Sequence, residues 1–250
     1  MKNRIVLFVC VAATLASLMA CMAVNLPQVT RVRGSGKVVT ETRQVSGFSR
    51  LSVGAFGELT LVQGDQESLV IEAEENILPN ITSQVRDDTL YIRIDSPGLN
   101  NIDPSKDIKY KLTMKDIHRL EASGAVEIIA SQIKTDSLEI ESSGAGSMKI
   151  AELYTEHLKV EVSGAGSVDI EKGKAPIQEI EISGAGSYNA ENLECQRMKI
   201  DISGAGNAVI WVKDNLEIEM SGAGNLQYYG SPAVVQDTSG AGRIRSLGEK

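Results

Sequence analysis

Aromatic side chains are scarce in this sequence, at 4% of residues with a single tryptophan. The core must therefore be built from Val, Ile, Leu and Ala. Basic residues are outnumbered as well, because 25 Lys and Arg stand against 33 Asp and Glu and give a formal net charge of -8. This charge balance argues against nucleic-acid binding, which needs a basic surface for phosphate groups.

Residue types that carry most catalysis are also few. Only two histidines are present, His118 and His157, and neither stands in the spacing of a metal site or a catalytic motif. Cys10 and Cys21 belong to the N-terminal segment, so Cys195 would have no disulfide partner in a processed chain. We expect Cys195 to be a packing residue, and we predict no cofactor and no catalytic residue.

The N-terminus has the pattern of an export signal. Lys2 and Arg4 precede an apolar run over residues 5–16, which is too short for a comfortable membrane span. The run leads into Leu18-Met19-Ala20-Cys21, which resembles the lipobox of bacterial lipoproteins. We predict a signal peptide over 1–20 and a lipidated Cys21 with a tether to residue 36. The alternative is an ordinary secretory signal in which Cys21 is incidental.

A four-residue tag, Ser-Gly-Ala-Gly, recurs at spacings of 20 and then 18 residues. In most repeats, apolar residues lie three and one positions before the tag and five and seven positions after it, which is typical of a strand on each side of a turn. No segment has apolar residues at the 3.6-residue spacing of a helix, so we expect almost no helix. The six tags begin at Ser143, Ser163, Ser183, Ser203, Ser221 and Ser239, and a variant begins at Ser123.

A fixed period of about twenty residues, with every repeat in the same sense, favours an all-β fold, a single-domain parallel β-helix. Glycines in the tag would allow a positive φ or a close backbone approach at each corner. Residues 50–59 align with residues 119–128, so the upstream part shares the architecture. We predict one domain over 37–250, with irregular coils over 37–117 and regular coils over 118–250. An antiparallel meander or sandwich is the competing interpretation.

These features resemble a known bacterial family. The tag followed by Ser or Asn, after an entry marked by Phe48, Leu51 and Val53, resembles the putative auto-transporter adhesin, head GIN domain family, over roughly residues 40–245. The resemblance implies a β-helical protein of the envelope or outside the cell, in many members a lipoprotein. It carries no established catalytic residue to this chain.

An acidic residue stands two positions before every tag, and we call this set the acidic column. Four positions before the tags the charge alternates, with cations at Arg119, Lys159 and Lys199. The column is either a solvated set of charges offset by these cations, which we favour, or a weak cation site, since calcium prefers carboxylate oxygens. Its members are Glu121, Glu141, Glu161, Glu181, Asp201, Glu219 and Asp237.

Two further features are candidates for partner binding. Trp211, Tyr228 and Tyr229 lie in the shortened coils near the C-terminal end, where they would either stack on a sugar or protein partner or cap the open end. The turn-rich insert over 95–107 is either a recognition loop or simple variation.

The function that these patterns favour is an exported, lipid-anchored module of the cell envelope. We predict non-enzymatic binding, adhesion or scaffolding, with the membrane as one partner and an envelope protein or glycan as another. The outer membrane is the expected location, and the sequence does not distinguish its periplasmic face from its outer face. The alternatives are a polysaccharide lyase or hydrolase of the β-helix type and a purely structural envelope protein.

Overall fold

The computed structural model describes residues 32–94 and 102–250. The predicted signal peptide, Cys21 and most of the tether lie outside the described residues, as does the first part of the 95–107 insert. Within the described residues, no helix has the length and hydrophobicity needed to cross a membrane.

The described residues form 21 strands and one 3-10 helix over Leu78–Asn80. The first nine strands are Val32–Arg33 (β1), Val38–Arg43 (β2), Arg50–Gly54 (β3), Phe56–Gln63 (β4), Ser68–Glu74 (β5), Ile81–Arg86 (β6), Thr89–Ile94 (β7), Ile102–Asp103 (β8) and Lys109–Met114 (β9). The others are Arg119–Ala122 (β10), Ala125–Lys134 (β11), Ser137–Ser142 (β12), Ser147–Tyr154 (β13), His157–Val162 (β14), Ser167–Lys174 (β15), Ile177–Ile182 (β16), Ser187–Ile202 (β17), Asn207–Gly222 (β18), Asn225–Tyr229 (β19), Ala233–Gly240 (β20) and Arg243–Ser246 (β21).

Strands that lie one repeat apart pair in parallel, which confirms the β-helix. Ile140 of β12 lies opposite Leu120 of β10 on one side and Val160 of β14 on the other. Strands that lead into a tag form one face, the pre-tag face, and strands that follow a tag form a second, the post-tag face. The pre-tag face consists of β3, β10, β12, β14, β16, the C-terminal parts of β17 and β18, and β20. The post-tag face consists of β4, β11, β13, β15, the N-terminal parts of β17 and β18, β19 and β21.

The core consists of aliphatic columns that run the length of the stack. Positions three before the tag are buried in every coil from Leu120 to Ile218, and positions five after it are buried from Ile128 to Leu226. Burial of one such side chain stabilises the fold by roughly 1.5–3 kcal/mol. Apolar residues at the same position of each repeat thus contact one another in neighbouring coils. This fixes the register of the strands, because a shift by one residue would bring polar residues into the core.

Each tag forms a corner in which the backbones of neighbouring coils come very close. A Cβ atom on Gly144 would lie 2.1 Å from the carbonyl oxygen of Gly124, and one on Gly164 would lie 2.1 Å from that of Gly144. The prediction of close approach is therefore confirmed. A positive φ, the other predicted role, occurs in the tags only at Gly222 and Gly240 among the described residues.

The irregular N-terminal coils contain antiparallel strands, which the sequence patterns did not indicate. β7 and β9 continue the parallel stack by pairing with β3 and β4. β6 then folds back on β7, β5 pairs antiparallel with β9, and β2 pairs antiparallel with β5. The turn between β6 and β7 uses Asp87 and Asp88, both at positive φ, as tight hairpins require. These reversals close the N-terminal end of the stack.

Glu74 joins the N-terminal segment to the last part of the 95–107 insert. Its buried carboxylate accepts hydrogen bonds from the backbone N–H groups of Gly36, Ser105 and Lys106, and from the Ser105 hydroxyl. The Ser105 hydroxyl, followed by these N–H groups, holds the pKa of Glu74 below its usual value. One carboxylate thereby accepts hydrogen bonds from the backbone N–H groups of two loops at the same end of the stack.

Candidate functional site

The acidic column lies on the pre-tag face with its members directly opposite one another. Glu141 faces Glu121 and Glu161, and the register continues through Asp201 to Asp237. Neighbouring strands are about 4.8 Å apart, so adjacent carboxylates repel one another unless cations lie close. The structure thus brings together all seven residues that the sequence placed in one column.

Cations on the same face offset part of this charge. Arg119 forms ion pairs with Glu139, at 2.6 Å, and with Glu141. Lys159 lies 2.5 Å from Glu161, and Lys199 lies 2.7 Å from Glu219. Every one of these side chains is partly exposed, so each pair is worth at most about 1 kcal/mol.

The titration of two lysines reflects this environment. A hydrogen bond to Glu161 raises the pKa of Lys159, and hydrogen bonds to Glu219 and Glu217 raise the pKa of Lys199. Both shifts have the direction expected for an ammonium group beside a carboxylate. This arrangement is that of a charge column offset by cations, which is the interpretation that the sequence favoured.

The described residues contain no group of three or more His, Cys, Asp or Glu placed to hold a metal ion. Consecutive members of the acidic column offer one carboxylate per strand, whereas calcium usually takes six to eight oxygen ligands. Cation binding along the column stays the less favoured of the two hypotheses.

The three aromatic candidates separate into an outward pair and an inward residue. Trp211 and Tyr229 lie opposite each other on β18 and β19, and the Lys250 ammonium lies 4.5 Å from the centroid of the Tyr229 ring. The same ammonium lies 5.8 Å from the centroid of Trp211. Tyr228 is partly buried and packs against the core. Trp211 and Tyr229 are thus half-buried beside Lys250, whereas Tyr228 packs against the end of the core.

Among the residues that the structure describes, no hydrogen bond joins His118, His157 and Cys195 to one another. Cys195 is fully buried, and burial raises the pKa of its thiol to about 12. His118 contacts the Thr135 hydroxyl at 3.3 Å, and His157 pairs with Ser137 and Ile177 along the strand stack. A thiol with so high a pKa is a poor nucleophile near neutral pH, in agreement with the packing role expected for Cys195.

A surface that the sequence reasoning missed lies where the post-tag strands end. Lys134, Tyr154 and Lys174 lie opposite one another on β11, β13 and β15, eleven positions after successive tags. They border a groove of about 400 Å³, and the Tyr154 side chain is exposed. These three residues stand twenty positions apart in the sequence, so aligning the repeats as far as eleven positions after the tag would have revealed the column. The sequence patterns considered above end closer to the tag.

Comparison with known proteins agrees with this architecture. A putative adhesin from Bacteroides fragilis is 26% identical, with a TM-score of 0.82 over 86% of this chain and 100% of that one. A putative lipid binding protein from Parabacteroides distasonis is 19% identical, with a TM-score of 0.73 over 87% of this chain and 100% of that one. A putative adhesin from the same organism is 22% identical, with a TM-score of 0.67 over 87% of this chain and 100% of that one.

The two Parabacteroides structures show likeness of fold alone. No curated protein matches the chain. The family model described as putative auto-transporter adhesin, head GIN domain, matches residues 47–232. With its stacked coils and its repeated tag, the chain belongs to the putative auto-transporter adhesin, head GIN domain family.

Proposed function

We propose that this protein is an exported, lipid-anchored module of the cell envelope that binds a surface partner without catalysis. The observation that carries the proposal is the pair of half-buried rings of Trp211 and Tyr229, which lie opposite each other on adjacent strands of the β-solenoid. The family and a structural relative are described as putative adhesins, which supports a binding or adhesion role. The lipobox that ends at Cys21 supports export and anchoring.

The aromatic pair has the properties of a contact surface for a glycan or a protein. The two rings lie on adjacent parallel strands, so their separation is fixed by the strand spacing rather than by a flexible loop. Lys250 adds a cation beside both rings. Planar rings with few rotatable bonds lose little conformational entropy on binding, which is why aromatic residues often dominate interfaces.

Anchoring is tested in a bacterium with two membranes. The full chain and a Cys21→Ser variant are expressed, labelled with a radioactive fatty acid, and separated into soluble and membrane fractions. We expect the label and membrane association for the native chain and the loss of both for the variant. An unlabelled native chain would contradict the anchor and would leave the binding surface unaffected.

Binding is tested with purified full-length protein against envelope fractions and a panel of glycans. Trp211→Ala and Tyr229→Ala are compared with Tyr154→Ala, which removes an exposed ring from another side of the solenoid. We expect the first two variants to lose binding and the third to retain it. Equal binding by all three, with the first two less stable, would show that Trp211 and Tyr229 only cap the stack.

A further inference from the structure

The N-terminal end of the pre-tag face carries a cluster of arginines on a protein of net charge -8. Thr89 of β7 lies opposite Arg86 on one side and Arg50 on the other, and Arg50 lies opposite Arg119. Arg119 pairs with carboxylates of the next coils. Within the described residues, no ion pair joins a carboxylate to Arg50, Arg86 or Arg93.

Two of these arginines border a cavity of about 290 Å³ on the hairpin of β6 and β7. The guanidinium of Arg93 lies 5.4 Å from the centroid of the Tyr91 ring and donates a hydrogen bond to the Ser52 hydroxyl at 3.2 Å. Arg86 donates to the side-chain oxygen of Gln84. The cavity is lined by Thr82, Gln84, Arg86, Asp87, Tyr91 and Arg93.

Each guanidinium thus donates to a neutral acceptor rather than to a carboxylate. An arginine has five N–H donors, so further donors remain for a ligand, and its planar fork matches the two oxygens of a carboxylate or phosphate. The ring of Tyr91 lies between Gln84 and Ser52 in the register of the face. A half-exposed ring beside amide and hydroxyl groups suits the stacking of a sugar ring, which has an apolar face and a polar rim.

The rest of the face limits the size of the anion. Glu121 lies opposite Ser52 in the next coil, and the acidic column extends from there to Asp237. A long polyanion aligned with the solenoid would meet these carboxylates and be repelled. A ligand with a single negative group would meet fewer carboxylates, namely Asp87 in the lining and Glu121 opposite Ser52.

We propose that this cavity binds an anionic saccharide, a pyranose ring that carries one phosphate or carboxylate group. Arg86 and Arg93 bind the anionic group, Tyr91 stacks on the ring, and the amide of Gln84 donates to a ring hydroxyl. The inference rests on the proposed binding function and names a ligand class for a second surface, distant in sequence from Trp211 and Tyr229.

The test is titration calorimetry on the detergent-solubilised full chain. Glucose 1-phosphate and galacturonate are the probes, and glucose and inorganic phosphate are the comparison compounds. We expect at least one anionic sugar to bind more tightly than either comparison compound, with an affinity that falls as salt is added. Failure of both anionic sugars to bind, or equal binding of inorganic phosphate, would overturn the proposal.

Variants locate the site. Arg86→Gln, Arg93→Gln and Tyr91→Leu should each weaken binding by about tenfold or more, as expected for the loss of a charge-assisted hydrogen bond or a stacking contact. Arg86→Lys, which keeps the charge and loses the planar fork, should weaken it less. Circular dichroism shows whether each variant is folded.

A matched control removes the same kinds of group elsewhere. Lys134→Gln, Lys174→Gln and Tyr154→Leu alter the other column of two cations and one tyrosine, and they should leave the affinity unchanged. Equal losses at both surfaces would show nonspecific attraction and overturn the proposal. If the anionic sugars fail while envelope binding still depends on Trp211, only the arginine cavity is refuted.

Discussion

Trp211 and Tyr229 lie directly opposite each other on adjacent parallel strands, whereas Tyr228, one residue earlier, points to the end of the core. This alternation predicts that truncation of the two side chains lowers stability by different amounts. Tyr228→Ala should lower the free energy of unfolding by about 2 kcal/mol, because it leaves a cavity beside the core. Trp211→Ala should lower it by less, about 1 kcal/mol, because the Trp211 ring is half-buried and does not pack against the core.

Urea unfolding of the three proteins measures these differences. A larger loss of stability for Trp211→Ala than for Tyr228→Ala would assign the cap to the outer ring and weaken the case for a contact surface there.

Glu74 should make the stability of the fold sensitive to acid. Its pKa is lowered in the folded state, so its contribution is present above the unfolded pKa of about 4.3 and is lost as pH falls through the lower folded value. Glu74→Gln should therefore be less stable than the native chain at pH 7, and the difference should shrink below the unfolded pKa. Urea unfolding at both pH values checks this, and a difference that is constant with pH would contradict it.

Lys159 lies between Glu139 and Glu179 on the pre-tag face. Lys159→Glu would place three like charges in consecutive strands and remove the ion pair with Glu161, so we expect a loss of about 1 kcal/mol. Added salt should restore most of it. Lys115→Glu is the matched control, since Lys115 lies outside the columns, and it should change stability little. An equal loss for both variants would show that only net charge matters.

The thiol of Cys195 should be unreactive in the folded protein. It is fully buried and donates to the backbone oxygen of Arg197 at 3.2 Å. Alkylation of a chain in which Cys10 and Cys21 are replaced by Ser should be absent in buffer and complete in urea, as followed by mass spectrometry. Rapid labelling of the folded chain would show that this part of the solenoid opens readily.

The regular coils were predictable from the sequence because their spacing is constant. When Glu141 and Glu161 stand twenty residues apart, at the same offset from identical tags, parallel stacking places them opposite each other, as observed. The same reasoning gave the buried columns. It also gave the correspondence of Leu51 with Leu120, although the upstream copy lacks the tag.

Strand direction in the N-terminal part was not predictable in the same way. Ile71 of β5 and Leu112 of β9 belong to segments in which buried and less buried residues alternate. Parallel and antiparallel strands both show this alternation, so it does not reveal the direction of the partner strand. The arginine cavity depends on that topology, because only the reversal at Asp87 brings Arg86 beside Tyr91. In the N-terminal part, where the sequence does not repeat, no constant spacing indicates which residues lie opposite each other on neighbouring strands.

The tag forms a corner at which neighbouring coils pack closely, and Gly184→Ala is the variant that tests this role. A Cβ atom there would lie 2.2 Å from the carbonyl oxygen of Gly164, so the coils would have to separate. We predict a loss of about 1–3 kcal/mol in urea unfolding and no change for Ser183→Ala, an exposed position in the same tag. A Gly184→Ala chain as stable as the native one, or an equal loss for Ser183→Ala, would contradict it.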